Sequence, residues 1–203
     1  MLRKHRLAPQ TICEIGCGAG EVLRVLEQRL PTECQLVGYD ISPTAMELAA
    51  TRANERLRFV QGDLTQALRE APQPYDLVLV LDVVEHLEDY FSFLRALRPL
   101  GKRTIFHFPL DLSAQTIIRP NGLLNTRQTY GHLHYFTKEI ILKLLDETGY
   151  TVLDWAYTPE SLEQPSHELR RNLARLPRRI LYSLNHDLAA HMLGGFRFIV
   201  LAR

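Results

Sequence analysis

Two short stretches gather groups that can move protons or hold a cation. DVVEHL (82–87) supplies Asp82, Glu85 and His86, and GHLHYF (131–136) supplies His132 and His134. An imidazole titrates near neutrality, so it suits a general base that takes a proton from an attacking nucleophile. His132 and His134 are the expected catalytic candidates because they stand in a stretch expected to cover a cleft. His107 ends a candidate strand and is a further imidazole of the same kind. Asp82, Glu85 and His86 could ligate a divalent metal together with a later histidine. The reading adopted for them is a structural role facing ligand, and no metal is expected.

A second constellation is ICEIGCGAGE, with Gly16, Gly18 and Gly20 between an apolar run and a helical pattern. Alternating glycines remove the Cβ atoms that would block a ligand and permit unusual dihedrals. A dinucleotide, a nucleoside triphosphate and a sulfonium nucleoside all fit such a loop. The dinucleotide fingerprint asks for a further glycine where this chain has Glu21. A carboxylate there competes with a pyrophosphate for the positive helix end, yet is harmless beside a cationic ligand. The Gly-Lys-Ser/Thr of a triphosphate loop is missing. Asp40 closes the second strand candidate, where a carboxylate accepts hydrogen bonds from both ribose hydroxyls. Asp63 holds the same relative place one strand outward, and Glu14 adds a charge within the first strand. Acidic groups around an apolar cleft favour a sulfonium over a polyphosphate.

These groups need strands to carry them. Short β-rich runs at Thr11–Ile15, Gln35–Asp40, Leu57–Gln61, Asp76–Leu81 and Arg103–Phe108 alternate with helical patterns. Val22, Leu23, Val25, Leu26 and Leu30 recur at helical spacing, Ser42 and Pro43 open a second helix, and Leu87–Leu97 forms another. Alternation of this kind predicts a doubly wound α/β sheet, mostly parallel, with helices on both faces. The nearly continuous apolar run LVLVLDVV suits a strand buried on both sides. Residues 111–136 read as a loop or lid, Thr137–Thr148 as a helix capped by Thr137, and Tyr150–Tyr157 as a strand. GFRFIVLAR gives a final strand, expected to run antiparallel.

Between those last strands, residues 159–191 read as a helical insertion broken at Pro177. Leu169, Leu173, Leu176, Ile180, Leu184 and Leu188 recur at helical spacing, interleaved with Arg170, Arg171, Arg175, Arg178 and Arg179. Amphipathic helices packed on the domain, with a solvated arginine face, are the expected form.

At 203 residues the chain is expected to be a single domain, and 46% hydrophobic with 23% charged residues is an ordinary globular composition. A net charge of +1 gives no global field for nucleic acid or an anionic membrane, and neither is expected as a partner. The three cysteines, Cys13, Cys17 and Cys34, lack paired spacing and suit a reducing cytoplasm. The basic start MLRKHRLAPQ is followed by an apolar segment too short and broken for a signal peptide. A cytoplasmic protein is the expectation, and a homodimer is compatible with it.

Taken in order, ICEIGCGAGE, LVGYDIS, FVQGDL and YDLVLVLDVVEHL resemble the class I S-adenosylmethionine-dependent methyltransferases, in the small-molecule branch that also carries a segment like GHLHYFTKEIILKLLDETGY. The resemblance covers roughly residues 11–157 and the final strand. It implies that S-adenosylmethionine is the cofactor and S-adenosylhomocysteine the product. Gly16, Gly18 and Gly20, near Glu14, would line the methionine part, Asp40 with Ile41 would hold the ribose, Asp63 and Leu64 would face the adenine, and the backbone near Asp82 would meet the methionine amine. Only ten residues precede Thr11, where family members often carry a covering helix. A small-molecule acceptor of the methyl group, through oxygen or nitrogen rather than carbon, is implied. A catalytically silent cofactor-binding module is the alternative. A nicotinamide oxidoreductase is opposed by Glu21 and by the lack of a Tyr-x-x-x-Lys pair, and a nucleic-acid methyltransferase by the missing Asn/Asp-Pro-Pro-Tyr/Phe motif.

Overall fold

The computed structural model describes residues 1–71, 73–158 and 178–203. Seven strands form one sheet: β1 (Thr11–Ile15), β2 (Gln35–Asp40), β3 (Leu57–Gln61), β4 (Leu77–Leu81), β5 (Thr104–Pro109), β6 (Val152–Thr158) and β7 (Arg197–Ala202). Their order is β3-β2-β1-β4-β5-β7-β6. The first five pair in parallel, and β7 slots antiparallel between β5 and β6. The winding direction reverses between β1 and β4, so the loops after those strands border the crevice where α/β sheets bind ligands.

Alternation along the strands builds two cores. Ile12, Leu36, Leu77, Leu79 and Ile105 point to one face, with Leu23 of α1 (Glu21–Glu27) and Met46 and Ala49 of α2 (Pro43–Ala50). Cys13, Val37, Val78, Val80 and Phe106 point to the other. There they meet Ala67 of α3 (Leu64–Glu70), Leu94 and Leu97 of α4 (Tyr90–Leu97), and Ile141, Leu144 and Leu145 of α7 (Lys138–Glu147). Helices therefore cover both faces, which is why the central strands read as unbroken apolar runs. Ser42 and Thr137 cap their helices through their side-chain oxygens, as their positions predict. Met1, Leu2 and Leu7 pack against the first core, and Lys4 and His5 both reach Asp154 on β6.

Three expectations need correction. Residues 111–136 are not a plain loop: they contain α5 (Ala114–Ile118), capped by Ser113, and α6 (Gly122–Tyr130). Neither helix has a fully buried residue, so neither leaves an apolar stripe in the sequence. Helix α3 went unexpected for a similar reason, since only Leu64 and Ala67 are buried. In the insertion, residues 159–177 lie outside the described residues, and with them Leu169, Leu173, Leu176, Arg170, Arg171 and Arg175. Residues 178–184 are helical and are followed by α8 (His186–Leu193). Ile180, Leu184 and Leu188 are exposed rather than packed. The inward row is instead Leu181, Tyr182, Ala189, Ala190 and Leu193, because Asn185 ends one helix, caps the next and resets the phase.

Phe106 is fully buried, with the Phe108 ring stacked 5.9 Å away and the Tyr150 ring edge-on at 5.1 Å. Phe106→Ala should lower unfolding free energy by about 3–5 kcal/mol, read as an earlier urea midpoint with an unchanged slope.

Candidate cofactor and acceptor site

The glycine loop leaves β1 at the centre of the sheet and is tied down before it turns. The Tyr39 carbonyl accepts from the amides of both Gly16 and Cys17, at 2.8 and 3.0 Å. Gly16, Gly18 and Gly20 all have positive φ, at 74°, 53° and 77°, which a side chain disfavours. Their surroundings differ. A Cβ on Gly16 would lie 2.4 Å from Val83, and one on Gly20 would lie 2.3 Å from the Phe59 ring. A Cβ on Gly18 would meet nothing within 4 Å. Two of the glycines thus serve packing, and the third borders open space.

Asp40 links that loop to the next helix. One carboxylate oxygen accepts from the Gly18 amide and the other from the Ser42 amide, both at 2.8 Å. Ile41 beside it is largely exposed. Asp63 caps α3 by accepting from the Gln66 amide at 3.1 Å, and Leu64 is buried. Glu14 is buried, and its Oε2 has no hydrogen-bond partner among the described residues. Burial, reinforced by the nearby Asp40 charge, pushes its carboxyl up to about 8. Glu21 turns outward to Arg24, 2.5 Å away, and to Arg52. Its charge is therefore locally answered, so Glu21 carries less weight against a pyrophosphate than its position in the sequence implies.

Asp82 follows β4 in a left-handed backbone conformation, φ 53°. It joins no metal-type set among the described residues. Its two oxygens go to His107 Nδ1 at 3.0 Å and to an Arg197 guanidinium nitrogen at 2.5 Å. Burial works against the charge, but His107 and Arg197 outweigh it and hold the carboxyl below its usual range. His107 Nε2 continues the chain to Thr158 Oγ1 at 3.0 Å.

One turn further on, Glu85 is completely buried, and neither carboxylate oxygen has a hydrogen-bond partner among the described residues. Burial, with Asp82 and Asp111 adding to it, raises Glu85 to about 8. Glu85, His86 and His132 bring ligand-type atoms within 4.8 Å of one another, a spacing that could accept a cation. His132, rather than Asp82, completes that group.

The two candidate histidines separate sharply. His132 places Nδ1 2.6 Å from an Asp111 oxygen. His134 turns inward: its Nε2 is buried without a partner among the described residues, and its ring lies edge-on to Tyr90 at 4.6 Å. Phe136 is buried core, whereas Tyr130 is exposed. Asp111 and Arg197 are the site residues that sequence reasoning missed. Each stands far from its partner in the chain, and no local spacing signals either pairing.

Glu14 and Glu85 give stability a definite pH dependence. Between the ordinary carboxylate range and about 8, the folded protein keeps protons that the unfolded chain has lost. This contribution is complete in acid and is lost as pH rises through about 8. Glu14→Gln should flatten the fall in stability across that window, measured by urea unfolding at a series of pH values. An unchanged slope would show that Glu14 is ionised in the fold.

Residues 13–103 match the family model of a methyltransferase domain. Two ubiquinone biosynthesis O-methyltransferases, from Aliivibrio fischeri (strain MJ11) and Methylobacterium sp. (strain 4-46), are 26% and 29% identical over 68% and 73% of this chain. The matches span 62% of each of those proteins, less than two thirds of their length. Among solved structures, a magnesium protoporphyrin IX methyltransferase from Synechocystis PCC 6803 with bound S-adenosylhomocysteine covers 99% of this chain and 77% of its own, at TM-score 0.62 and 19% identity. An S-adenosylmethionine-dependent methyltransferase from Archaeoglobus fulgidus covers 99% and 90%, at TM-score 0.65 and 19% identity. These two share the fold of the sheet described above. No helix among the described residues is long and apolar enough to cross a membrane. The domain match over residues 13–103, the strand order and the glycine loop agree with one another, and the chain is similar to the S-adenosylmethionine-dependent methyltransferases.

Proposed function

We propose that this protein transfers the methyl group of S-adenosylmethionine to a small molecule, through an acceptor oxygen or nitrogen. The observation that carries the reading is the open space at Gly18, bordered by Asp40, with Glu14 Oε2, unpartnered among the described residues, on the strand beneath. An orphaned carboxyl and a Cβ-free cradle are what a ligand with an adenosine body and a cationic end requires. When bound, S-adenosylmethionine supplies a methyl group on a positively charged sulfur.

In this reading, Gly16, Gly18, Gly20 and Glu14 serve the methionine part. Asp40 and Ile41 serve the ribose: each Asp40 oxygen spends one lone pair on an amide and keeps another for a hydroxyl. Asp63, with one oxygen free of its capping bond, and Leu64 serve the adenine. The backbone at Asp82 serves the amine, held in shape by His107 and Arg197.

Methyl transfer depends mainly on aligning the nucleophile, the methyl carbon and the sulfur. A hydroxyl acceptor also has to lose a proton, and His132 is the base proposed for it. His134, packed against Tyr90 and Phe136, is assigned to the lid interior. The O-methyltransferase names of the relatives support oxygen as the nucleophile. Helices α5 and α6 are the proposed walls of the acceptor pocket, and their exposed Ile117, Ile118 and Leu124 support an acceptor with an apolar body.

Calorimetry should show S-adenosylhomocysteine binding on the order of micromolar and no binding of NAD. Asp40→Ala should abolish it. Gly18→Ala should cost about 1–2 kcal/mol of stability from its left-handed backbone, yet lose binding because the added methyl enters the cradle. Binding of NAD alone would replace this reading with an oxidoreductase.

A further inference from the structure

Asp111 and His132 stand at the two ends of the excursion that carries α5 and α6. Their side chains meet with Oδ2 and Nδ1 at 2.6 Å, and they are only 23% and 11% exposed. The remaining ring nitrogen of His132, Nε2, makes no hydrogen bond among the described residues. The ring is fixed on its other sides by His86, edge-on at 5.0 Å, and by Tyr130 at 5.6 Å. The following amides, of Leu133 and His134, both donate to the Glu85 carbonyl at 2.8 and 3.1 Å. His132 is therefore anchored to the turn after β4, at the strand ends where the glycine loop also lies.

An ionised carboxylate only accepts hydrogen bonds, so a neutral imidazole beside it must present Nδ1–H. The lone pair is then confined to Nε2. We propose that Asp111 is a positioning residue for methyl transfer: it holds His132 in the tautomer whose Nε2 takes the acceptor's proton. This inference rests on the function proposed above. The acceptor's O–H bond breaks toward Nε2 as its oxygen bonds the methyl carbon, and the electron pair of the broken carbon–sulfur bond stays on sulfur. Asp111 remains ionised and faces the imidazolium that results. A residue that only stapled the lid ends together would not need to choose between the two ring nitrogens.

The test uses full-length protein labelled with nitrogen-15 at histidine, with His132 assigned by comparison with His132→Gln. At mildly alkaline pH, NMR should show Nδ1 protonated and Nε2 bare. Asp111→Asn, whose amide can donate to Nδ1, should move the ring to the opposite tautomer or average it, and Asp111→Glu should restore the original signature. Carbethoxylation of His132 by diethyl pyrocarbonate, followed by peptide mass spectrometry, should slow about tenfold in Asp111→Asn. A wild-type ring protonated at Nε2, or an Asp111→Asn ring indistinguishable from wild type, would overturn the proposal. A saturable shift of Nε2 on adding Mg2+ or Zn2+ alone would also overturn it, by assigning that nitrogen to a cation. Calorimetry with S-adenosylhomocysteine on the same samples separates the two inferences. Loss of that binding in wild type with the tautomer intact would sink the methyl-transfer reading while leaving the Asp111–His132 geometry established.

Discussion

A loop that leaves a strand buried on both faces has to satisfy its own amides before it can offer any of them to a ligand. Here the end of β2 meets that demand. The Tyr39 carbonyl takes two amides of the loop after β1, and the next residue, Asp40, takes a third while also fixing the start of α2. One short segment of β2 therefore sets the path of the glycine loop, the start of a helix and the carboxylate that borders the cradle. Gly16 and Gly18, whose amides are tethered there, have positive φ, as does Gly20, whose amide turns back to the Cys17 carbonyl. Their surroundings differ, since Val83 and Phe59 press against the outer two and leave the middle one open.

Around this point the strand ends collect carboxyl groups in unequal states. Asp82 is answered by His107 and Arg197, whereas Glu14 Oε2 and both Glu85 oxygens are buried without hydrogen-bond partners among the described residues. A buried carboxyl without a partner is costly when charged, so both are held toward the neutral form. On the opposite side of the sheet, at the amino ends of the strands, a groove of about 590 Å³ is lined by Arg6, Lys102, Arg103 and Arg203. Asp76 lines the same groove and holds Lys102 at 2.7 Å.

The sheet was readable because burial on both faces writes long apolar runs, and β1 to β5 fall within one residue of their expected limits. The cap residues Ser42 and Thr137 were readable because capping is a local property of residue type. Helices α5 and α6 were not, since a helix with no buried stripe leaves no period to detect. In the site, glycines and acids at strand ends stood out by position. The contrast between His132 and His134 did not, although they are two residues apart. Which of them faces Asp111 and which faces Tyr90 depends on how the turn after α6 docks on Glu85, a long-range event with no local signature. Asp82 parted from Glu85 and His86 for the same reason, because Arg197 arrives from a distant strand, while a later histidine, His132, joined the other two.

That arrival bears on how the molecule is made. β7 runs antiparallel between β5 and β6, which brings Arg197 to the end of the sheet where Asp82 waits. During synthesis the strands of the cofactor crevice emerge first and can pair locally, but the guanidinium that answers Asp82 leaves the ribosome only after all of them. Until β7 inserts, the sheet has a gap at its interior and Asp82 has His107 alone to answer its charge. A nascent or truncated chain lacking that strand would hold the cofactor-side residues without the clamp that shapes the Asp82 turn. Completion of the crevice is thereby coupled to completion of the sheet.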